Sequence, residues 1–178
     1  MVLKRLNFLK RFRRDSDGAA SVEFVIVAPV YLGIMFSMFE AGWLMTQSMM
    51  LERALDVTVR DLRLGLQSDT SHDNFKTLIC DKASIIKDCK ENVLLELVPI
   101  ASSADVPTET VCRDRTAGVG VDPVVTFNPG ARSEIMYMRA CVVIDPLIPG
   151  MGLGLHLPKD ESGGFALVSY AAFVNEPG

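Results

Sequence analysis

The sequence predicts an α+β protein: a long N-terminal transmembrane and stalk helix followed by a small, disulfide-tied antiparallel β-sheet body. Three observations carry this expectation. Between residues 19 and 46 the only charges are Glu23 and Glu40. Four later segments, 93–98, 124–127, 135–144 and 165–174, are rich in β-branched or aromatic residues and are separated by Pro, Gly and Asn. All four cysteines fall after the apolar segment.

The 178 residues, 49% hydrophobic and 22% charged, suit one ordinary domain and argue against wholesale disorder. The mean hydropathy of +0.26 is high for a soluble domain, and the early apolar segment accounts for most of the excess. Charge divides the chain in the same place. Residues 1–18 hold six basic and two acidic residues, leaving twelve basic and twenty acidic in 19–178. A basic cluster abutting an apolar segment reads as the cytoplasmic flank of a membrane helix. No later basic run supports a nucleic-acid footprint, so no nucleic-acid partner is expected.

At about 1.5 Å per residue, a helix over 19–46 exceeds the roughly 30 Å hydrocarbon core of a bilayer. A cleaved secretory signal is the competing reading, but its apolar region is shorter, about 7 to 15 residues, and ends in a small-residue cleavage site. The positive-inside rule places the N-terminus in the cytoplasm and the body outside, with Trp43 near the outer interface. The two carboxylates each need a reason to sit so near the membrane. Glu40 is expected to reach the outer interface. Glu23 either sits among headgroups or, if the chain is cut after Gly18, faces the new α-amino group of Ala19. Gly33, Ser37 and Ala41 recur every four residues, forming a small-residue strip where another helix could pack. Pro29 removes one backbone donor inside the span and should bend or loosen it.

The run Gly18-Ala19-Ala20-Ser21-Val22-Glu23-Phe24 resembles the prepilin-peptidase processing site of type IV pilin-like proteins. More narrowly, GAASVEFVIVAPVYLGIMFSMFEAG is similar to the start of the TadE/TadF pseudopilins of the tight-adherence (Tad, or Flp) pilus system. The resemblance covers about residues 14–65. It implies cleavage after Gly18 by a membrane prepilin peptidase, with Ala19 becoming the first mature residue and Glu23-Phe24 the fifth and sixth. It also implies a minor structural or assembly component of the pilus, in the inner membrane or the fibre, with a periplasmic body. The implied partners are the prepilin peptidase, other pilin-like subunits, Tad assembly proteins and membrane lipid. Major Flp pilins are much shorter, which favours the pseudopilin branch without separating the TadE, TadF and TadG types.

Beyond the span, Leu51, Ala54, Leu55, Thr58, Val59, Leu62 and Leu66 follow the spacing of one helical face, so the helix is expected to continue as a stalk until Gly65 and the polar residues 67–71 stop it. The expected organisation is a basic leader at 1–18, a transmembrane and stalk helix at 19–66 and an extracytoplasmic α+β domain at 67–178. Phe75, Leu78, Ile79, Lys82, Ile85 and Ile86 suggest a second helix capped by Ser71 or Asp73. Long loops are expected at 101–123 and 145–164, with turns at Pro129-Gly130 and Pro149-Gly150.

Cys80, Cys89, Cys112 and Cys141 lie on the side expected to be oxidising, where disulfides persist. Four cysteines allow three pairings. Proximity favours Cys80 with Cys89, which leaves Cys112 for Cys141. Without a C-x2-C pair, a zinc site is the weaker reading, and neither a metal nor another cofactor is expected. His72 and His156 read as solvated loop residues. The glycine-containing stretches at 118–120 and 150–154 lack the strand, turn and helix setting of a phosphate loop. The methionines at 35, 38, 45, 49 and 50 read as adaptable apolar packing. No catalytic residue and no small-molecule substrate are expected. The alternative is a signal-anchored periplasmic ligand-binding or enzymatic domain, for which the helix is only a tether.

Overall fold

The computed structural model describes residues 19–67, 69–108, 112–116, 123–150 and 152–176. One helix, α1 (Ala19–Arg63), dominates it, running unbroken for 45 residues with Pro29 inside. It is long and apolar enough to cross a membrane, and its most apolar stretch is exposed. Its end is set locally. Gly65 adopts φ +65°. From that left-handed turn the Gly65 amide donates to the Leu62 carbonyl, and the Leu66 amide to that of Asp61. These two bonds satisfy carbonyls that the last helical turn leaves free. Leu66 therefore lies beyond the turn and is exposed, unlike the rest of the expected stalk face.

Helix α2 (His72–Lys82) starts at Ser71, whose hydroxyl accepts from the Asn74 amide, as the sequence suggested. It stops at Lys82, short of Ile85 and Ile86, because Ala83 leaves helical geometry at ψ 45°, and a further one-turn helix, α3 (Cys89–Asn92), follows. Lys82 Nζ reaches Asp61 Oδ2 at 3.1 Å, tying α2 to α1.

Three strands follow, β1 (Val93–Ile100), β2 (Ile135–Ile144) and β3 (Phe165–Val174), in the order β1-β2-β3 with both pairs antiparallel. The expected fourth strand at 124–127 is reduced to a single parallel bridge, Leu97 with Phe127. There the Leu97 amide donates to the Thr126 carbonyl and the Asn128 amide to that of Leu97. Past Asn128 the next donor along that edge of β1 would be residue 99, a proline, which ends the pairing on that side.

One core joins helix and sheet. Leu44, Leu51, Ala54, Leu55, Val59 and Leu62 of α1 meet Phe75 and Ile79 of α2 and the inner sheet face: Val93, Leu95 and Leu97, then Met136, Met138, Ala140 and Val142, then Leu167 and Phe173. Thr58 is fully buried on this face, where its hydroxyl donates to the Ala54 carbonyl at 2.7 Å. The second half of α1 is thus the central wall of the body's core.

The other sheet face is partly covered by the β1–β2 connection. Two covalent or charged contacts hold it. Cys112 is bonded to Cys141 of β2, and Arg139 on the same face meets its cross-strand neighbour Glu96 at 2.6 Å while donating to the Pro107 carbonyl. The second disulfide joins Cys80 to Cys89 across the α2–α3 turn. Both pairings are those that sequence proximity favoured.

Candidate processing junction and helix surface

Gly18 lies outside the described residues, whereas Ala19 opens α1. Glu23 and Phe24 follow on the exposed first turns of the helix, and Phe24 shows 72% of its surface. Val22, Val25, Ile26, Val27, Val30 and Tyr31 are likewise exposed. A helix presenting large apolar side chains all round cannot rest in water, and its burial must come from lipid or other chains.

The surroundings change at Gly33. The β2–β3 connection, residues 145–164, descends along α1 and places a short 3-10 turn (Gly152–Leu155) against it. Gly152 has φ +60°, and a Cβ there would run into the Ser37 hydroxyl and lie 3.3 Å from the Gly33 carbonyl. Ser37 itself donates to the Gly33 carbonyl at 2.7 Å. Gly33, Ser37 and Ala41 are all half-buried. The small-residue strip thus permits close approach, and at Gly33 and Ser37 the approaching segment is a turn of the same chain.

Glu40 adds most to the sequence reading. It is only 1% exposed, and its carboxylate accepts from two successive backbone amides, Leu147 at 2.7 Å and Ile148 at 2.9 Å. Those charge-assisted bonds compensate the removal of a carboxylate from water and fix the top of the loop to the helix. A signal did exist: Glu40 lies on the same helical face as Ser37, Leu44, Gln47 and Leu51, most of which the body covers.

Above Glu40, Trp43 and Gln47 border a cavity of about 300 Å³ with Lys87, Arg115, Asp145 and Leu147. Arg115 donates to Asp145 at 2.7 Å and to the Ser162 hydroxyl at 2.9 Å. That bond from Arg115 holds the Asp145 carboxyl below the ordinary carboxylate value, and the same contact raises the guanidinium. Gly164 leaves room for this guanidinium, with which a Cβ would collide.

The histidines carry no such constellation. His156 is exposed. His72 differs from the solvated loop residue expected: it opens α2 and packs edge-on against Phe127, with ring centroids 5.1 Å apart. Among the described residues no group of His, Cys, Asp and Glu has the arrangement of a metal site.

Neither a curated protein nor a solved structure matches the chain. A family model does match: TadE-like protein, over residues 18–60, spanning the junction and nearly all of α1 while leaving the sheet outside. Over residues 18–60 the chain is accordingly similar to TadE-like proteins, a likeness consistent with the Tad pilus system.

Proposed function

We propose that this protein is a pseudopilin of the Tad (Flp) pilus, cut after Gly18 by a prepilin peptidase and assembled through its N-terminal helix. One observation carries the reading: the TadE-like segment coincides with a helix whose first turns are apolar, exposed and headed by Glu23-Phe24. Cutting after Gly18 removes the basic leader and creates an amine at Ala19, a cation one helical turn from Glu23 and so within reach of it or of a neighbouring subunit's carboxylate. Such a pairing lowers the cost of holding Glu23 at membrane depth and fixes the axial register between packed helices.

The role is structural rather than catalytic. The mature protein is a single-pass inner-membrane subunit with its N-terminus cytoplasmic and its body periplasmic, an oxidising space that suits the two disulfides. Its partners are the peptidase, other pilin-like subunits and the Tad assembly proteins, met through the exposed part of α1.

The test is intact mass and N-terminal sequencing of protein from native membranes, with and without an active prepilin peptidase. The expected mature form begins at Ala19 only when the peptidase is present. Retention of residues 1–18 in peptidase-positive cells would sink the proposal. Glu23→Ala should be processed and inserted but recovered poorly with pilus components. Unchanged recovery would leave the helix as a mere anchor.

A further inference from the structure

Residues 146–158 contain no Asp, Glu, Lys or Arg, although Asp145 precedes them and Lys159, Asp160 and Glu161 follow. The connection they form folds only in part onto the body, through Leu153 and Leu157. Leu147 and Leu155 are 57% and 59% exposed, and the neighbouring helix presents Ile34, Met38 and Phe39 outward at the same level. Loop and helix together make one apolar collar.

Its depth follows from the helix. Gly152 rests on Gly33 and Ser37. From Ala19 to Gly33 a helix rises only about 21 Å at 1.5 Å per residue, against roughly 30 Å of hydrocarbon. The charged residues Asp15 and Asp17 stand just before Ala19, so the hydrocarbon cannot begin much earlier. If the whole body stayed outside the bilayer, the membrane would have to thin by about 9 Å, and tilting the helix would only worsen the mismatch. A level membrane of ordinary thickness reaches instead to about Glu40, taking in the loop.

From this we infer that the β2–β3 connection is a membrane-entering element: the Gly152–Leu155 turn, with Leu155 outward, lies in the hydrocarbon of the leaflet on the body's side, seated against the spanning helix, and Leu147 marks its boundary at the level of Glu40. The backbone is prepared for it. The Leu147 and Ile148 amides are taken by Glu40, and those of His156 and Leu157 by the Leu153 carbonyl. Non-helical backbone is tolerated at such depth when it is satisfied and backed by protein. The inference rests on α1 crossing the bilayer, but not on processing or pilus assembly.

The full chain carrying Trp43→Phe with Leu155→Trp, reconstituted in phosphatidylcholine and phosphatidylglycerol vesicles, tests it. Lipids brominated on their acyl chains should quench most of the introduced indole's emission, which should also be blue-shifted and protected from acrylamide. Trp43→Phe with Leu147→Trp reads the loop's other end, at the membrane boundary, and should be quenched and shifted less than Leu155→Trp. Red-shifted emission at both positions, open to acrylamide and indifferent to brominated lipid, would overturn the inference. So would protection that disappears on diluting the protein in the membrane without any lipid quenching, since a second copy would then be the cover. Trp43→Phe with Val25→Trp reports the span itself. Brominated lipid must quench it, and if it does not, the spanning helix and the inserted loop fall together, whatever the cleavage experiment returns.

Discussion

Glu40 and Leu147 are 107 positions apart in the chain, and the backbone amide of Leu147 donates to the Glu40 carboxylate at 2.7 Å. With the parallel bond from Ile148, this contact anchors the β2–β3 connection to the one helix among the described residues that is long and apolar enough to cross a membrane. A charge inside an apolar segment is thus a built fastening between anchor and body.

Glu40→Ala should destabilise the body by about 2–6 kcal/mol, since two buried amides lose their acceptor at about 1–3 kcal/mol each. Glu40→Gln keeps one acceptor oxygen but turns an NH2 toward the other amide, and should cost about half as much or somewhat more. Denaturant unfolding in detergent, with proteolysis of the 145–164 connection as a local readout, would measure both. Equal stability of all three proteins would contradict the fastening.

Gly152→Ala should cost about 1–3 kcal/mol, combining left-handed strain with a collision against Ser37. Gly150→Ala, where an added Cβ meets nothing, is the matched control and should lie near wild type. Ser37→Ala in the Gly152→Ala background should recover the steric part alone. Thermal midpoints of the four proteins separate the contributions.

Replacing Cys112 and Cys141 by Ser should destabilise more than replacing Cys80 and Cys89. The first bridge spans 29 positions and the second 9, and chain entropy makes that difference worth about 1 kcal/mol beyond the typical 2–4 kcal/mol per bridge. Non-reducing peptide maps should return these two pairings, and unfolding midpoints should rank the variants. The reverse ranking would show that native-state effects outweigh loop closure.

Asp145 has its folded carboxyl held below the unfolded value by Arg115, so its contribution is present above that value and lost as pH falls through the folded one. Asp145 is 71% exposed, which limits the pair to under about 1 kcal/mol. Wild type should therefore exceed Asp145→Asn slightly at pH 7, and the gap should close on acidification below about pH 4. Paired unfolding curves at neutral and acid pH check the sign, and a gap that widens toward acid would refute it.

Much of this arrangement could be read from residues near one another in the chain. The helix from Ala19, its stop at Gly65, the Ser71 cap and three of the four expected strands rest on local periodicity and turn chemistry. The segment expected as a strand at 124–127 keeps a single bridge to Leu97, a residue distant in sequence but adjacent across the sheet edge. His72 likewise took its role from Phe127, which no local pattern connects to it.

The sequence by itself determined the apolar helix and the strands, because helix and strand periodicities are local properties. Only the tertiary structure decided what covers the helix. Whether Glu40 meets water or two amides, and whether Gly33 and Ser37 face another subunit or their own chain's Gly152, depends on where a connection more than a hundred residues later is led by the sheet. That path is set by long-range packing of β2 and β3 on the far half of α1, and no window along the chain contains it.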